Sequence, residues 1–194
     1  MIQDLDDTIK ELLLKKVPID ASTVDINFVM PTKDLVTGAT KPTINVFLYD
    51  LRENHDLRSN EEHISRSAAT GKGTKAPVRI DMTYLISVWS SDVSDEHRLL
   101  GQLLAVLLRY PVLPAEVLKG SLVNQDFPLR AWIAQPERTP NVWDFWGGID
   151  GKLKAGISYV VTVALSPFEP ETFGLVTEKV LEVGVIHKDV ISDH

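Results

Sequence analysis

The sequence predicts an α+β domain, a mixed and largely antiparallel sheet with helices packed on it. Three observations predict it. TINVFLYDL (residues 43–51) and ISYVVTVAL (157–165) are nearly continuous apolar runs rich in β-branched and aromatic types. Val78, Ile80, Met82, Tyr84, Ile86 and Val88 alternate with Arg79, Asp81, Thr83 and Ser87, the period of a strand. The helical patterns do not alternate regularly with these strands, and no Gly-rich turn joins a strand to a helix, which argues against a doubly wound nucleotide-binding sheet. At 194 residues without cysteine, the chain is long enough to bury one core without a metal or disulfide. The missing thiols exclude zinc knuckles, iron–sulfur clusters and a cysteine nucleophile.

The elements follow in order. Leu5, Ile9, Leu12 and Leu13 have helical spacing, and Asp4, Asp6 and Asp7 suit the positive end of the helix dipole, so a helix is predicted to about Lys16, before Pro18. Thr23 to Met30 alternates as a strand up to Pro31. Residues 43–51 are predicted to be a strand covered on both faces. Residues 52–76 carry many charges and few large apolar side chains, which predicts a long polar loop, a partner-contacting segment or a solvated excursion. The alternating strand 78–88 then buries one side. Ser94 is a candidate cap for the next helix, whose Leu99, Leu100, Leu103, Leu104, Val106, Leu107 and Leu108 suggest burial between layers until Tyr110-Pro111 ends it. A helical turn at 115–118, a strand at 129–134, a short aromatic turn at Trp143–Trp146 closed by Gly147-Gly148, and the central strand 157–165 complete a domain over 1–168. Residues 169–194 form an acidic strand or arm, with alternation over 173–186 and Gly184 as a candidate bulge.

Twenty Lys and Arg stand against 27 Asp and Glu, a formal net charge of −7. Phosphate-backbone binding rests on clustered cations, so nucleic acid is a poor partner. Glu169, Glu171, Glu178, Glu182, Asp189 and Asp193 against Lys179 and Lys188 concentrate the excess at the end of the sequence, where it solvates itself or meets a basic partner. The apolar run 99–108 is about half a membrane span. MIQDLDD carries acids where a secretory signal carries Lys or Arg. A cytoplasmic chain with no membrane insertion is expected.

Candidate chemistry is sparse. A P-loop needs Gly where Arg66 stands and Ser or Thr where Gly73 stands. The five histidines make no ligand pair on one helix face, and Asp95-Glu96-His97 diverge around a helix, so neither a metal nor a cofactor is expected. No Gly-x-Ser-x-Gly elbow occurs. The Trp143, Phe145, Trp146 group reads better as an anchor to the core than as a stacking platform. The reading is therefore not an enzyme; the enzymatic alternative is a dispersed acid–base site using Asp81, Asp95 or His97.

Three segments carry a specific match: TINVFLYDLREN (43–54), PVRIDMTYLISVWSSDVSDEHRLLGQLLAVLLRYPVLP (77–114) and VWDFWGGIDGKLKAGISYVVTVAL (142–165). Together, over residues 3–168, they resemble the cap or tail-terminator family of extracellular contractile injection systems, the phage-tail-like particles of the antifeeding-prophage and Photorhabdus virulence cassette type. The resemblance implies a tail-terminator-like fold and a hexameric ring of copies at the end of the tail far from the baseplate. There it would stop inner-tube polymerisation and tie tube to sheath. The alternative within the same task is a terminator of an ordinary phage tail. Such a role needs protruding segments, and the candidate interface is Arg52, Arg58, Arg66, Lys72 and Lys75 on the loop, with Phe173, Leu175, Val176, Val180, Leu181 and Val183 on the acidic segment. An alternating strand there is expected to pair either with a neighbouring subunit or as an edge strand within the chain.

Overall fold

The computed structural model describes residues 1–32, 41–67, 70–135, 146–147, 153–176 and 178. Contacts divide it into two units, residues 1–59 with 77–166, and residues 60–76 with 167–194.

The first unit is built on α1 (Ile2–Lys16), β1 (Asp25–Asn27) and β2 (Thr43–Glu53), followed by β5 (Val78–Trp89), α2 (Val93–Arg109), β6 (Arg130–Ile133) and β7 (Gly156–Leu165). Between β2 and β5 the second unit supplies β3 (Glu62–Ser67) and β4 (Thr70–Lys75), and after β7 it supplies β8 (Glu171–Gly174). The five strands of the first unit run in the order β1-β2-β5-β7-β6. The β1–β2 pair is parallel and the other three pairs are antiparallel. This is the predicted mixed, mostly antiparallel α+β arrangement.

One face of that sheet makes the main core. Ile44, Val46, Met82, Tyr84, Ile86, Tyr159, Val161 and Val163 meet Leu5, Ile9, Leu12 and Leu13 of α1 and Leu99, Leu103, Val106 and Leu107 of α2. The 3.6-residue period of both helices thus meets the two-residue period of three strands. Tyr84 fastens α1 to β5 with a polar bond, its hydroxyl donating to Asp6 Oδ1 at 2.8 Å. The other face is covered near the end of β5 by Trp146, buried against Leu85 and Trp89 with its ring 6.4 Å from that of Trp89. Trp146 is an anchor; Trp143 and Phe145 lie outside the described residues.

Several expectations are corrected. Residues 52–76 are not one loop: a 3₁₀ turn at His55–Leu57 is followed by the β3–β4 hairpin. Every residue of β3 is exposed, so no buried side chain imposes the alternation by which a strand is read. The strand predicted at 23–30 is only three residues long. β2 is fully buried only over Thr43–Val46, with a bulge between Leu48 and Asp50, and Leu51 is half exposed. β5 is buried on both faces from Met82 to Trp89 because it is the middle strand of five. The cap of α2 is Asp92, whose carboxylate accepts from Ser94 N at 2.8 Å, rather than Ser94. Nor does α2 lie between layers: only one side faces the sheet, and Leu108 is 56% exposed.

Two side chains complete the backbone bonding. Beyond the four residues of β6, the Gln125 amide both donates to Ala164 O (2.9 Å) and accepts from Ala164 N (3.0 Å), continuing the β7 ladder as a strand would. Asp4 of α1 accepts from Ser121 Oγ (2.6 Å) and Ser121 N (3.2 Å). Gly120 makes that approach possible: its φ is +52°, and a Cβ there would sit 2.2 Å from Asp4 Oδ1.

These bonds predict an acid-sensitive fold. Chiefly through the Ser121 hydroxyl, the Asp4 carboxyl is lowered to about 2. Glu11 is lowered by Lys15 and Lys119, Asp20 by the Ser22 amide, Glu53 by Arg58 and Glu116 by Lys16. Each contributes stability that is present above its unfolded pKa, about 4, and lost as pH falls through the folded value. Asp6 works in the opposite sense: burial raises it against the Tyr84 bond, so its contribution is present at low pH and lost as pH rises. Among the described residues, five depressed carboxyls against one raised predict a falling melting temperature from about pH 5 to pH 2. Melts of wild type and Asp4→Asn test this, with a shallower decline below pH 4 expected in the variant.

Candidate assembly interface

The second unit is a three-stranded sheet in the order β3-β4-β8, antiparallel throughout. Its register pairs Ile64 with Gly73 and Glu171, and Arg66 with Gly71 and Phe173. Directly opposed residues share a face, so Glu62, Ile64, Arg66, Lys75, Glu171 and Phe173 stand on one side. His63, Ser65, Lys72, Thr74 and Thr172 stand on the other.

Gly71 of β4 is what Phe173 requires, while Gly73 leaves room chiefly for the Glu62 carboxylate. A Cβ on Gly71 would lie 2.6 Å from Phe173 Cε2, and one on Gly73 would lie 3.4 Å from Phe173 Cε1. The ring therefore rests on bare backbone where any larger residue would lift it, with Leu175 beside it. Phe168 stacks under the Lys75 ammonium at 5.4 Å, and Lys75 also reaches Glu171 at 4.0 Å. Even so, Ile64, Phe168 and Phe173 remain about 40% exposed and Val176 almost wholly so. A small sheet with this much apolar surface open is a surface suited to contact.

Gly71→Val is expected to displace Phe173 and free β8 while the first unit keeps its melting temperature. Hydrogen exchange at residues 171–174 checks this; unchanged protection there would show that the ring does not depend on Gly71.

The five predicted cations do not form one patch. Arg52 lies 2.6 Å from Asp50 at the end of β2, and Arg58 forms a two-pronged pair with Glu53, its Nε 2.6 Å from Oε1. Both are engaged within the first unit, and as exposed pairs they contribute about 0–1 kcal/mol each. Arg66, Lys72 and Lys75 belong to the small sheet, Arg66 and Lys75 on the Phe173 side and Lys72 on the opposite side. Of the predicted apolar residues, Phe173 pairs within the chain against Gly71, while Leu175 and Val176 follow β8. Val180, Leu181 and Val183, like Gly184, lie outside the described residues.

The structure does not bring Asp81, Asp95 and His97 together. Asp81 accepts from Asn54 Nδ2 (3.0 Å) and Thr162 Oγ1 (2.6 Å) on β5, whereas Asp95 and His97 follow its far end, roughly 26 Å of strand away. Asp95 binds Arg98 at 2.8 Å. Glu96 accepts from Ser90 N and Lys154 Nζ, and Lys154 sits 4.9 Å over the Trp89 ring. His97 lines a cavity of about 260 Å³ beside this ion pair, without Asp81 or Asp95. Among the described residues no three His, Asp or Glu converge on a metal position, and no helix is long and apolar enough to cross a membrane.

The five-stranded core with its two helices, together with the small sheet, is the fold of the terminating proteins of contractile injection particles. The structure of a PVC extracellular contractile injection system sheath/tube terminator, in its extended state, superposes over 99% of this chain with a TM-score of 0.68 at 21% identity. The tube-terminating cap of the anti-feeding prophage superposes over 95% with a TM-score of 0.64 at 23% identity. This chain spans 65% and 62% of the lengths of those two proteins. Residues 4–179 match the family described as the Pvc16 N-terminal domain, and the chain belongs to that family. A search of curated proteins finds no match.

Proposed function

We propose that this chain is a structural cap, a tail terminator that ends inner-tube and sheath polymerisation at the baseplate-distal end of a contractile injection system and joins tube to sheath. It works as a six-fold ring of copies, assembled in the cytoplasm, by shape and contact rather than turnover. The observation that carries the reading is the superposition of nearly the whole chain on a sheath/tube terminator, together with its family membership. The small sheet supports it: Phe173, Leu175 and Val176 with Arg66, Lys72 and Lys75 offer apolar and cationic contacts for neighbouring copies, tube or sheath. The acidic continuation of β8, including Val180, Leu181 and Val183, serves as a further strand or arm for a neighbour.

Electron microscopy of the purified chain and of particles assembled with it tests the reading. Six-fold rings, or density at one tail end, are expected. Reversing Arg66, Lys72 and Lys75 to glutamate is expected to reduce cap occupancy while the monomer stays folded. Wild-type chain that neither forms rings nor binds a tail end contradicts the proposal.

A further inference from the structure

Arg79 stands out from the other cations of the first unit. It is 9% exposed, its guanidinium lies 4.2 Å from the centre of the Phe127 ring, and its buried Nε makes no hydrogen bond. Arg52, Arg58, Arg98 and Lys154 each hold a carboxylate. Arg79 does not: among the described residues no carboxylate oxygen lies within the 4.0 Å of an ion pair. Asp81, two residues along the same face, already accepts from Asn54 and Thr162. Burial pushes the guanidinium pKa down against the weaker opposing pull of Asp81, so the charge is only partly compensated by that carboxylate and by the Phe127 ring. An arginine cannot relieve that cost by losing its proton at neutral pH. Held over an aromatic ring, its planar donors suit a carboxylate.

We infer that Arg79 with Phe127 is a carboxylate receptor on the first unit, filled in the assembled cap by an acidic side chain from residues 169–178 of a neighbouring copy. Every copy brings the complement: Glu169, Glu171 and Glu178 fall in that segment, and residues 166–194 hold six acids against two lysines. A ring closed by rotation needs two different surfaces on each copy, and a cationic receptor with an acidic segment supplies such a pair. The inference rests on the ring-forming cap reading and adds to it one contact residue and the chemistry of its partner.

Arg79→Met keeps the stem over Phe127 and removes the charge. In dilute solution, where copies are apart, this variant is expected to melt at or above the wild-type temperature; at assembling concentrations its self-association is expected to weaken at least ten-fold by sedimentation. A variant that melts several degrees lower and associates as wild type does shows Arg79 to be satisfied within its own chain and overturns the inference. The source of the acid is read from charge exchange. Arg79→Glu is expected to abolish association, and combining it with Glu169→Lys, Glu171→Lys and Glu178→Lys to restore it. No restoration, with Arg79→Met still weakened, takes the carboxylate off the neighbouring copy and also overturns the inference. Wild type that associates while Arg79→Met matches it in every measurement removes this contact alone; wild type that never associates removes the ring reading as well.

Discussion

Truncating the chain before Glu171 is expected to abolish capping of tails while leaving the five-stranded unit folded. Among the described residues the main core draws nothing from beyond Val163, so its melting transition is expected to persist with little change. The loss falls on the small sheet. Without β8, the β3–β4 hairpin has no third strand, and Gly71 and Gly73 lose the Phe173 ring that lies across them. A two-stranded hairpin with every residue of β3 exposed is marginal in water. The same cut takes away Leu175, Val176 and the acidic segment. Cap density at tail ends by electron microscopy and the melting curve by circular dichroism separate the two effects. A truncated chain that still closes rings and still caps tails would show that this segment is not a contact.

Leu103→Ala is expected to be the most damaging single change in the helices. Leu103 is fully buried in the main core, and its truncation is expected to cost about 2–5 kcal/mol from lost burial and the remaining cavity. Since a domain has about 5–15 kcal/mol in all, the melting temperature should fall by roughly 5–20 °C. Leu108, on the same helix, is 56% exposed, and Leu108→Ala should stay within about 0.5 kcal/mol. Thermal melts of the two variants side by side check the difference; equal losses would mean that both sides of α2 are covered.

That pair also marks where sequence reading ends. The leucines of α2 look alike in the sequence, and the side facing the sheet is set by β5, β6 and β7 beneath it, a long-range fact. The reverse held for Leu5, Ile9, Leu12 and Leu13, where one apolar stripe stood against charged neighbours and all four are buried. Likewise β5 and β7 were legible because their apolar residues are continuous or alternate, as buried strands demand. The β3–β4 hairpin was not legible, since its strands bury almost nothing and Gly71 and Gly73 read as loop residues until Phe173 is placed over them. The one available signal was a glycine at every second position with an aromatic residue elsewhere to cover it. Arg79 was read only as the polar side of a strand. Its missing partner became visible once Phe127 and Asp81 had positions, and the same is true of Arg52 and Arg58, whose acids turned out to be Asp50 and Glu53.

If contact at a growing end is this chain's work, the length of the sheathed tube must depend on it. Electron microscopy of particles produced without the chain measures that dependence most directly. The account predicts tubes and sheaths of uncontrolled length or unjoined to one another, with normal particles regained when the chain is supplied. A population of intact sheathed particles of uniform length in its absence would contradict it.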